Sequence, residues 1–338
     1  MISENAKRFF ENYLGKKSSE FITLAQSGSA RVNFWAQSDN CKYIITYNEN
    51  IQENESFFYY SEVFSELHLN TPAILAISED RKLYVQEFLG EKTLSEIITQ
   101  EGLSENVKYL VQKTLENLYQ LQILTQKKID YSKTFEYERY DELPVTHDLY
   151  YFKNFVADVL ELEYHKSTLL KEFKAIVSLI EQLEPKGLMI RDFQARNIMV
   201  NEHNNVSFID YQSAMKGPLM YDVISFLFQA KANFPEDFKN EMLDFYIQQF
   251  ENKEIQAQLK ESVKPIQLMR FLQVLGAYGF RGLIQKKQHF IASIEKGIEN
   301  ISDFSKNWDH MKEYPELKKV IEQLSLEKTK LKIEEILK

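Results

Sequence analysis

Cysteine is nearly absent from this sequence, since Cys41 is the single example among 338 residues. One cysteine cannot form an internal disulfide, which fits a reducing environment. Long apolar runs are missing too, and none approaches the roughly 18 residues that a membrane-spanning helix requires. The N-terminal stretch MISENAKRFFENYLGKK also lacks the apolar core of a secretory signal. We therefore expect a cytoplasmic protein without a membrane partner.

Glycine and proline are scarce, with 10 and 7 residues, which argues against a collagen-like or linker-rich architecture. An excess of basic residues is missing as well, because the formal net charge is −9. An acidic chain repels the phosphate backbone of DNA and RNA, so we expect no nucleic-acid partner. Hydrophobic residues make up 44% of the chain, which is enough for one large domain or for two lobes with separate cores.

Two regions with different periodicity follow one another along the chain. Up to residue 89, the pattern predicts a short helix, three strands, one helix and two further strands. After Gly90 the periodicity is mainly helical, beginning with a helix capped by Ser104. The sequence therefore predicts an α+β protein with a small antiparallel β lobe that carries one helix (1–89) and a larger, mainly helical lobe (90–305).

Two segments of the helical region differ from the rest. Residues 126–153 are polar and aromatic with weak periodicity, and we predict that they form an irregular insert that selects the substrate. Residues 306–338 are charged and amphipathic. This tail is predicted either to dock on the body of the protein or to lead to a further domain or partner.

Charged residues interrupt an otherwise apolar stretch between residues 188 and 212, LMIRDFQARNIMVNEHNNVSFIDYQ. Asp192 and Asn197 are five positions apart, a predicted strand follows Asn197, and a second predicted strand ends at Asp210. Because a hairpin brings its two ends together, Asn197 and Asp210 should converge, with Asp192 one loop away. Two oxygen ligands beside a free carboxylate suit Mg²⁺, which binds with substrate phosphates. The pattern predicts phosphoryl transfer, with Asp192 orienting the attacking hydroxyl or accepting its proton.

A structural interpretation competes with this one, in which Asp192 forms an ion pair with Arg191 or Arg196. The spacing D-x-x-x-x-N does not decide between them, because a chain of this length contains about one match by chance. The placement of the motif between strands and the second aspartate, Asp210, favour the catalytic interpretation.

Three segments of this region closely resemble the aminoglycoside phosphotransferase and choline kinase superfamily. They are RDFQARN (191–197), IDYQ (209–212) and GPLMYD (217–222). Within that superfamily, the chain is most similar to the bacterial anomeric sugar kinases that phosphorylate N-acetylmuramate and N-acetylglucosamine in cell-wall recycling. The resemblance extends to about residue 305. It implies a bilobal, protein-kinase-like fold with the active site in the cleft, and the use of ATP and Mg²⁺.

The resemblance also implies roles for individual residues of the loop. It places Arg191 and Arg196 with Asp192 in the catalytic set, and it makes Asn197 and Asp210 the Mg²⁺ ligands. The superfamily usually has a histidine ahead of the catalytic aspartate, but the related sugar kinases carry arginine there, as this chain does with Arg191.

Nucleotide contacts are implied for two segments: the turn Ser27, Gly28 and Ser29, and the lobe connection Glu87, Phe88 and Leu89. On the residues alone, the turn is equally an ordinary hairpin turn. The segment YIITYN offers only Thr46 or Tyr47 where kinases normally carry a phosphate-binding lysine, which leaves Glu55 on the following helix without its usual partner. The related sugar kinases also lack this lysine, and the resemblance makes Arg31 the replacement cation.

Four residues are predicted to contact the substrate: Asp148, Tyr151, Gln194 and Gln212. Aromatic rings suit the apolar faces of a sugar, although aromatic residues are more often part of a core. Side-chain amides can hydrogen-bond sugar hydroxyls, but the two glutamines could equally fill a polar cleft wall.

We therefore expect an ATP- and Mg²⁺-dependent kinase that acts on a sugar hydroxyl, most simply the anomeric one. A kinase of another alcohol, such as an aminoglycoside, choline or a nucleoside, is the first alternative, since the acidic insert would favour a cationic substrate. A catalytically inactive nucleotide-binding scaffold is the second, because the lysine is missing. Intact Asp192, Asn197 and Asp210 argue against it. A protein kinase does not fit, because too few residues separate Asp210 from Gly217 for an activation segment.

Overall fold

The computed structural model describes residues 2–25 and 30–338, so the predicted phosphate turn Ser27, Gly28 and Ser29 lies outside the described residues. The helices are α1 (Ile2–Leu14), α2 (Ile51–Glu66), α3 (Leu94–Glu101), α4 (Glu105–Leu124), α5 (Glu142–Phe152), α6 (Lys166–Gln182), α7 (Met220–Leu227), α8 (Glu236–Gln248), α9 (Lys253–Tyr278), α10 (Gln288–Asn307), α11 (Pro315–Leu324) and α12 (Glu327–Leu337). The strands are β1 (Glu20–Thr23), β2 (Val32–Ser38), β3 (Cys41–Tyr47), β4 (Ile74–Ile77), β5 (Leu83–Glu87), β6 (Lys92–Thr93), β7 (Lys186–Met189), β8 (Ile198–Val200), β9 (Val206–Phe208) and β10 (Met215–Pro218).

The chain forms two compact units. One consists of residues 1–138 with 187–215, and the other of residues 139–186 with 216–338. The predicted lobes, 1–89 and 90–305, stay a prediction. The charged segment 188–212 belongs to the first unit, together with the N-terminal strands.

The first unit contains a five-stranded antiparallel sheet in the order β1-β2-β3-β5-β4. Side chains of a strand alternate between its faces, and β2 accordingly buries Phe34 and Ala36 on one side. Helix α1 places Ala6 and Phe10, one helical turn apart, on this same core. The predicted small antiparallel sheet is thus observed, and the predicted helix of this region, α2, contacts it at β4.

A hairpin formed by β8 and β9 follows the charged loop in the same unit. Ile198 pairs with Phe208 and Val200 pairs with Val206. The Ile209 amide donates a hydrogen bond to the Asn197 carbonyl at 3.0 Å, which extends the pairing by one step. The residues on either side of the hairpin, Asn197 and Asp210, are therefore held next to each other.

Gly90 lets the backbone approach this hairpin closely. Its φ is +149°, and a Cβ there would lie 2.5 Å from the carbonyl oxygen of Val200. Gly90→Ala should lower the free energy of unfolding by about 3 kcal/mol, because it combines backbone strain with a clash that displaces β8. Activity should fall with it, since β8 begins directly after Asn197.

Gly102→Ala is the matched control, because Gly102 also has a positive φ, +64°, but has open space where the methyl group would go. It should cost about 1 kcal/mol from backbone strain alone. Urea denaturation of both variants compares the two costs. Equal losses would show that the approach of Gly90 to Val200 is unimportant.

The second unit is mainly helical, and α5, α6, α7, α8 and α10 all contact the long helix α9. One sequence expectation is wrong here, because the second half of the predicted irregular insert forms α5. Asp141 caps this helix by accepting a hydrogen bond from the Leu143 amide at 3.4 Å. The helix contacts α6 and α9, and its buried residues lie on one face. That face includes the polar Asp148, while Leu143 and Tyr150 are exposed, so the apolar stripe by which sequence periodicity identifies a helix is blurred.

The predicted amphipathic tail is part of the second unit. Helix α11 buries Leu317, Val320, Ile321 and Leu324 on one face and contacts α6 and α10. Within the residues that the structure describes, no helix is long and apolar enough to cross a membrane.

A buried carboxylate on α6 fixes the start of α11. Glu172 accepts hydrogen bonds from the amides of Glu316 at 2.9 Å and Leu317 at 2.8 Å. Glu172→Ala should therefore lower the free energy of unfolding by about 2 kcal/mol and expose the tail to proteases. Lys171→Ala, at an exposed position on the same helix, is the control and should have little effect. Unchanged proteolysis of the Glu172 variant would show that this cap does not hold the tail.

Candidate active site

The loop from residue 190 to 197 is anchored by alternate apolar side chains. Phe193 and Ala195 are buried, and the Phe193 ring packs edge-on against Phe208 with 4.9 Å between centroids. Asp192 and Gln194, which lie on either side of Phe193, are only half-buried. The sequence alternation thus places polar side chains on the open side of an apolar anchor.

Two residues of this site have a strained backbone conformation. Arg191 has φ +73° and Asp210 has φ +66°, a left-handed conformation that costs about 1 kcal/mol or more for a residue with a side chain. Strained residues persist where the surrounding structure determines them, and they are typical of active sites. The two positions flank the loop and the hairpin, one directly before Asp192 and one two residues after the end of β9.

The Asp192 carboxylate has no hydrogen-bond or ion-pair partner among residues 2–25 and 30–338. The loop is held by its backbone instead, since Asn197 Nδ2 donates to the Asp192 carbonyl at 2.9 Å. Arg191 contacts Glu136 at 3.2 Å, and Arg196 is exposed. The ion pair of the structural interpretation is therefore not formed in the described part of the chain, and the carboxylate is available for chemistry.

Asn197 and Asp210 contact each other, as the hairpin geometry predicts. Asn197 Nδ2 donates to Asp210 Oδ2 at 3.2 Å. Both hydrogen bonds of this amide come from its nitrogen, so Asn197 Oδ1 has no partner among the described residues. An amide oxygen and a carboxylate therefore lie side by side at the end of the hairpin.

Arg31 and Gln212 complete the surroundings of Asp210. Arg31 Nη2 and Gln212 Nε2 both donate to Asp210 Oδ1, the latter at 3.1 Å, and Arg31 Nη1 donates to Gln212 Oε1 at 3.2 Å. Burial by itself would raise the pKa of Asp210, but the charge and hydrogen bond of Arg31 outweigh it and hold that pKa below its usual range. The Asp210 carboxylate is therefore ionised, as a metal ligand must be.

The carboxylate that approaches Arg31 from helix α2 is Glu53, at 3.5 Å from Arg31 Nε. From the sequence, Glu55 was expected to be the glutamate of this helix that lacks its usual lysine partner. In the structure, Glu55 forms an exposed ion pair with Arg81. Positions two apart on a helix point in nearly opposite directions, so only one of the two can face the site. The position of Glu53 in the first turn, after the N-cap Asn50, is a signal that could have singled it out.

The donor set fits a cation that binds together with substrate. No group of three or more His, Cys, Asp or Glu side chains suited to a metal ion occurs in residues 2–25 and 30–338. One carboxylate and one amide oxygen, at Asp210 and Asn197, match Mg²⁺, which takes few protein ligands and completes its shell with phosphates and water. They do not suit Zn²⁺, which prefers nitrogen and sulfur ligands.

The remaining predicted site residues lie in several places. Glu87 ends β5, where its amide donates to the Ala73 carbonyl at 3.0 Å, and Lys42 lies 5.5 Å from the centre of the Phe88 ring.

Both polar ends of the Gln212 amide are engaged with Arg31 and Asp210. Asp148 and Tyr151 lie on α5 in the second unit, where buried Asp148 accepts a hydrogen bond from the Tyr140 hydroxyl at 2.8 Å. Substrate contacts by these residues stay predictions, as does adenine contact by the connection that ends at Leu89.

Sequence comparison matches residues 22–265 to the model of the phosphotransferase enzyme family. One curated relative, an N-acetylmuramate/N-acetylglucosamine kinase from Neisseria meningitidis serogroup B, is 27% identical over 188 residues. The aligned region covers 54% of this chain and 52% of that relative. The chain thus matches about half the length of this relative.

Structure comparison identifies the fold. A choline kinase from Streptococcus pneumoniae superposes with a TM-score of 0.62 at 12% identity, covering 89% of this chain and 99% of that one. A thermostable mutant of an aminoglycoside phosphotransferase, solved with ADP and hygromycin B, gives a TM-score of 0.58 at 14% identity and covers 88% and 98%. These similarities confirm the predicted fold class, a mixed helix-and-sheet protein of the protein-kinase-like kind.

Proposed function

Because the chain belongs to the phosphotransferase enzyme family, we propose that it transfers the terminal phosphoryl group of ATP to a hydroxyl group of a sugar. The proposal rests on the surroundings of the Asp192 carboxylate. Its carboxylate is half-buried and has no partner in the part of the chain that the structure describes. An unpaired, partly desolvated carboxylate is costly for stability, and such groups are typical of sites where chemistry requires them.

Each charged residue of the site has a defined task in this proposal. Asp192 orients the acceptor hydroxyl and takes its proton. Asn197 and Asp210 would hold Mg²⁺, which when bound neutralises charge on the transferred phosphoryl group. Arg196 is exposed, and it lies close enough to Asp210 to help lower the pKa of that carboxyl. It is therefore placed to attract phosphate oxygens.

ATP as the phosphoryl donor is supported by the related structure that contains ADP. In this chain, the backbone between Glu87 and Leu89 would meet the adenine ring. The phosphate end would be met by Arg31, a cation whose guanidinium contacts Asp210.

A sugar acceptor is supported by the relative named N-acetylmuramate/N-acetylglucosamine kinase. We propose the anomeric hydroxyl of such an amino sugar as the acceptor. This hydroxyl is more acidic than an ordinary alcohol, so Asp192 needs to position it more than to deprotonate it. Positioning and charge neutralisation then account for most of the rate enhancement.

The alternative of a cationic acceptor rests on the acidic insert, and the structure gives two of its carboxylates other tasks. Glu136 pairs with Arg191 at 3.2 Å, and Asp141 caps α5. These two carboxylates are therefore not free to form a pocket for a positively charged substrate. Their engagement weakens the case for a cationic acceptor such as choline or an aminoglycoside.

The decisive experiment supplies the protein and Mg²⁺-ATP with N-acetylmuramate, N-acetylglucosamine, choline, an aminoglycoside and a nucleoside, and identifies the products by phosphorus NMR. We expect a 1-phosphate of an amino sugar. Turnover of a non-sugar alcohol alone would replace the substrate assignment and keep the mechanism. ATP binding without turnover of any alcohol would support the inactive scaffold instead.

A further inference from the structure

The strand position that normally carries the phosphate-binding lysine is occupied here by a neutral hydrogen-bonded network. Thr46 on β3 is 1% exposed and donates a hydrogen bond to Asn33 Oδ1 at 2.7 Å. Gln86 Nε2 on β5 donates to Thr46 Oγ1 at 3.0 Å. The three side chains satisfy one another across neighbouring strands and supply no positive charge. A cation for the phosphates has to come from elsewhere in the site.

Arg31 is a cation in direct contact with the proposed metal ligand, and its guanidinium has two different ends. The two Nη atoms donate to Asp210 and Gln212. The third nitrogen, Nε, is buried and makes no hydrogen bond within residues 2–25 and 30–338, and its ionic neighbour is Glu53 at 3.5 Å. The outer end of the side chain thus contacts Asp210, while the inner end faces Glu53.

Both oxygens of the Asp210 carboxylate accept hydrogen bonds in this arrangement. Oδ1 accepts hydrogen bonds from Arg31 and Gln212, and Oδ2 accepts one from Asn197. Mg²⁺ requires the lone pairs of its ligands in near-ideal octahedral geometry, and a guanidinium on the same oxygen would also repel it. The bonds from Arg31 and Gln212 use both lone pairs of Oδ1, so Arg31 Nη2 has to leave before this oxygen can bind a divalent cation.

Glu53 is held in place independently of Arg31. Asn48 Nδ2 donates to Glu53 Oε2 at 2.9 Å, and the Glu53 side chain is only 17% exposed. A fixed carboxylate beside Nε would keep the base of the guanidinium at the site while its outer end changes partner. Glu53 thereby takes the place of the glutamate that orients the lysine in other kinases.

We propose that Arg31 exchanges partners, contacting Asp210 in the nucleotide-free protein and the nucleotide phosphates in the loaded one, with Glu53 as the positioning residue. This inference rests on the proposed phosphotransferase function. It makes binding of the divalent cation and of the nucleotide interdependent, because the phosphates draw away the arginine that otherwise occupies the metal ligand.

The first test measures Mn²⁺ binding without nucleotide, by electron paramagnetic resonance, in the wild type, in Arg31→Met and in Arg196→Met. Both substitutions remove a positive charge near Asp210, but only Arg31→Met also removes a hydrogen bond from Asp210 Oδ1. Arg31→Met should bind Mn²⁺ about tenfold more tightly than the wild type, and Arg196→Met should show less than about a threefold gain. The same Arg31 variant should bind ATP about tenfold more weakly. Circular dichroism confirms that each variant is folded.

The second test compares Glu53→Gln with Glu55→Gln, a substitution of the same type on the same helix at a residue that pairs with exposed Arg81. Glu53→Gln should raise KM for ATP about tenfold with a smaller change in kcat, because Arg31 is less well held for the phosphates. Glu53→Asp should recover part of this loss. Glu55→Gln should leave both parameters unchanged.

The inference is overturned if Arg31→Met leaves Mn²⁺ affinity unchanged or lowers it, or if Arg196→Met raises it equally, since charge alone would then explain the result. Equal effects of the two glutamate variants would remove the positioning role of Glu53. These outcomes differ from failure of the proposed function, which would appear as absence of turnover in the wild-type protein.

Discussion

Asp192→Asn should lower kcat about 10²- to 10⁴-fold and leave the free energy of unfolding unchanged or slightly higher. The loss of rate follows because asparagine can accept a hydrogen bond from the acceptor hydroxyl but cannot take its proton. Stability should not fall, because the Asp192 carboxylate has no partner to lose among the described residues. Initial rates with the sugar identified in the substrate panel, together with urea denaturation, measure the two quantities.

Binding and background controls make this result specific. ATP affinity, measured by calorimetry, should remain within about threefold of the wild type, because Asp192 acts on the acceptor rather than on the donor. Asp244→Asn, an exposed substitution on α8 with the same change of charge, should alter neither rate nor stability. If Asp192→Asn kept most of its activity, Asp192 would not be the catalytic residue. Its unpaired carboxylate would then no longer support the proposed function.

Asp210→Asn should abolish measurable turnover, with a loss of about 10³-fold or more, and should also destabilise the protein. Asparagine is a far weaker ligand for Mg²⁺ than a carboxylate, so charge on the transferred phosphoryl group is left unneutralised. The free energy of unfolding should fall by about 2 kcal/mol, because Arg31 loses the ion pair that it makes with Asp210. Rates at increasing Mg²⁺ concentration and urea denaturation provide the measurements.

A double-mutant cycle separates the structural part of this effect. In an Arg31→Met background, Asp210→Asn should cost clearly less stability than in the wild type, because the interaction that it breaks is already gone. Additive costs would show that the contact between Arg31 and Asp210 contributes nothing to folding. Within the described residues, Asp192 is unpaired and Asp210 is paired with Arg31, so we expect only the Asp210 substitution to lower the free energy of unfolding.

Much of the site could be predicted because its parts are close together along the chain. Strand periodicity and the polar turn at residues 201–205 predict the hairpin, and the hairpin brings Asn197 next to Asp210. In the preceding loop, buried Phe193 and Ala195 alternate with the half-buried Asp192 and Gln194. In each case, the relevant geometry follows from local backbone regularity, which sequence patterns record directly.

Other features depended on contacts between distant parts of the chain. Helix α5 was predicted to be irregular, because Asp148 is buried while Leu143 and Tyr150 are exposed, which blurs its apolar stripe. Glu55 was considered in place of Glu53, since sequence alone does not show which face of α2 is turned toward the site. Gln212 was predicted to contact substrate, and its amide is engaged with Arg31 and Asp210.

The sequence by itself therefore determined the family, the fold class and the short segment in which Asn197 and Asp210 are brought together near Asp192. Only the tertiary structure decided that Arg31 lies on Asp210, that Glu53 faces the same guanidinium and that Asp192 is left unpaired. The physical reason is that long-range ion pairs depend on how separate elements pack. Arg31 and Asp210 are about 180 residues apart, and no periodic pattern in the sequence indicates that their side chains are in contact.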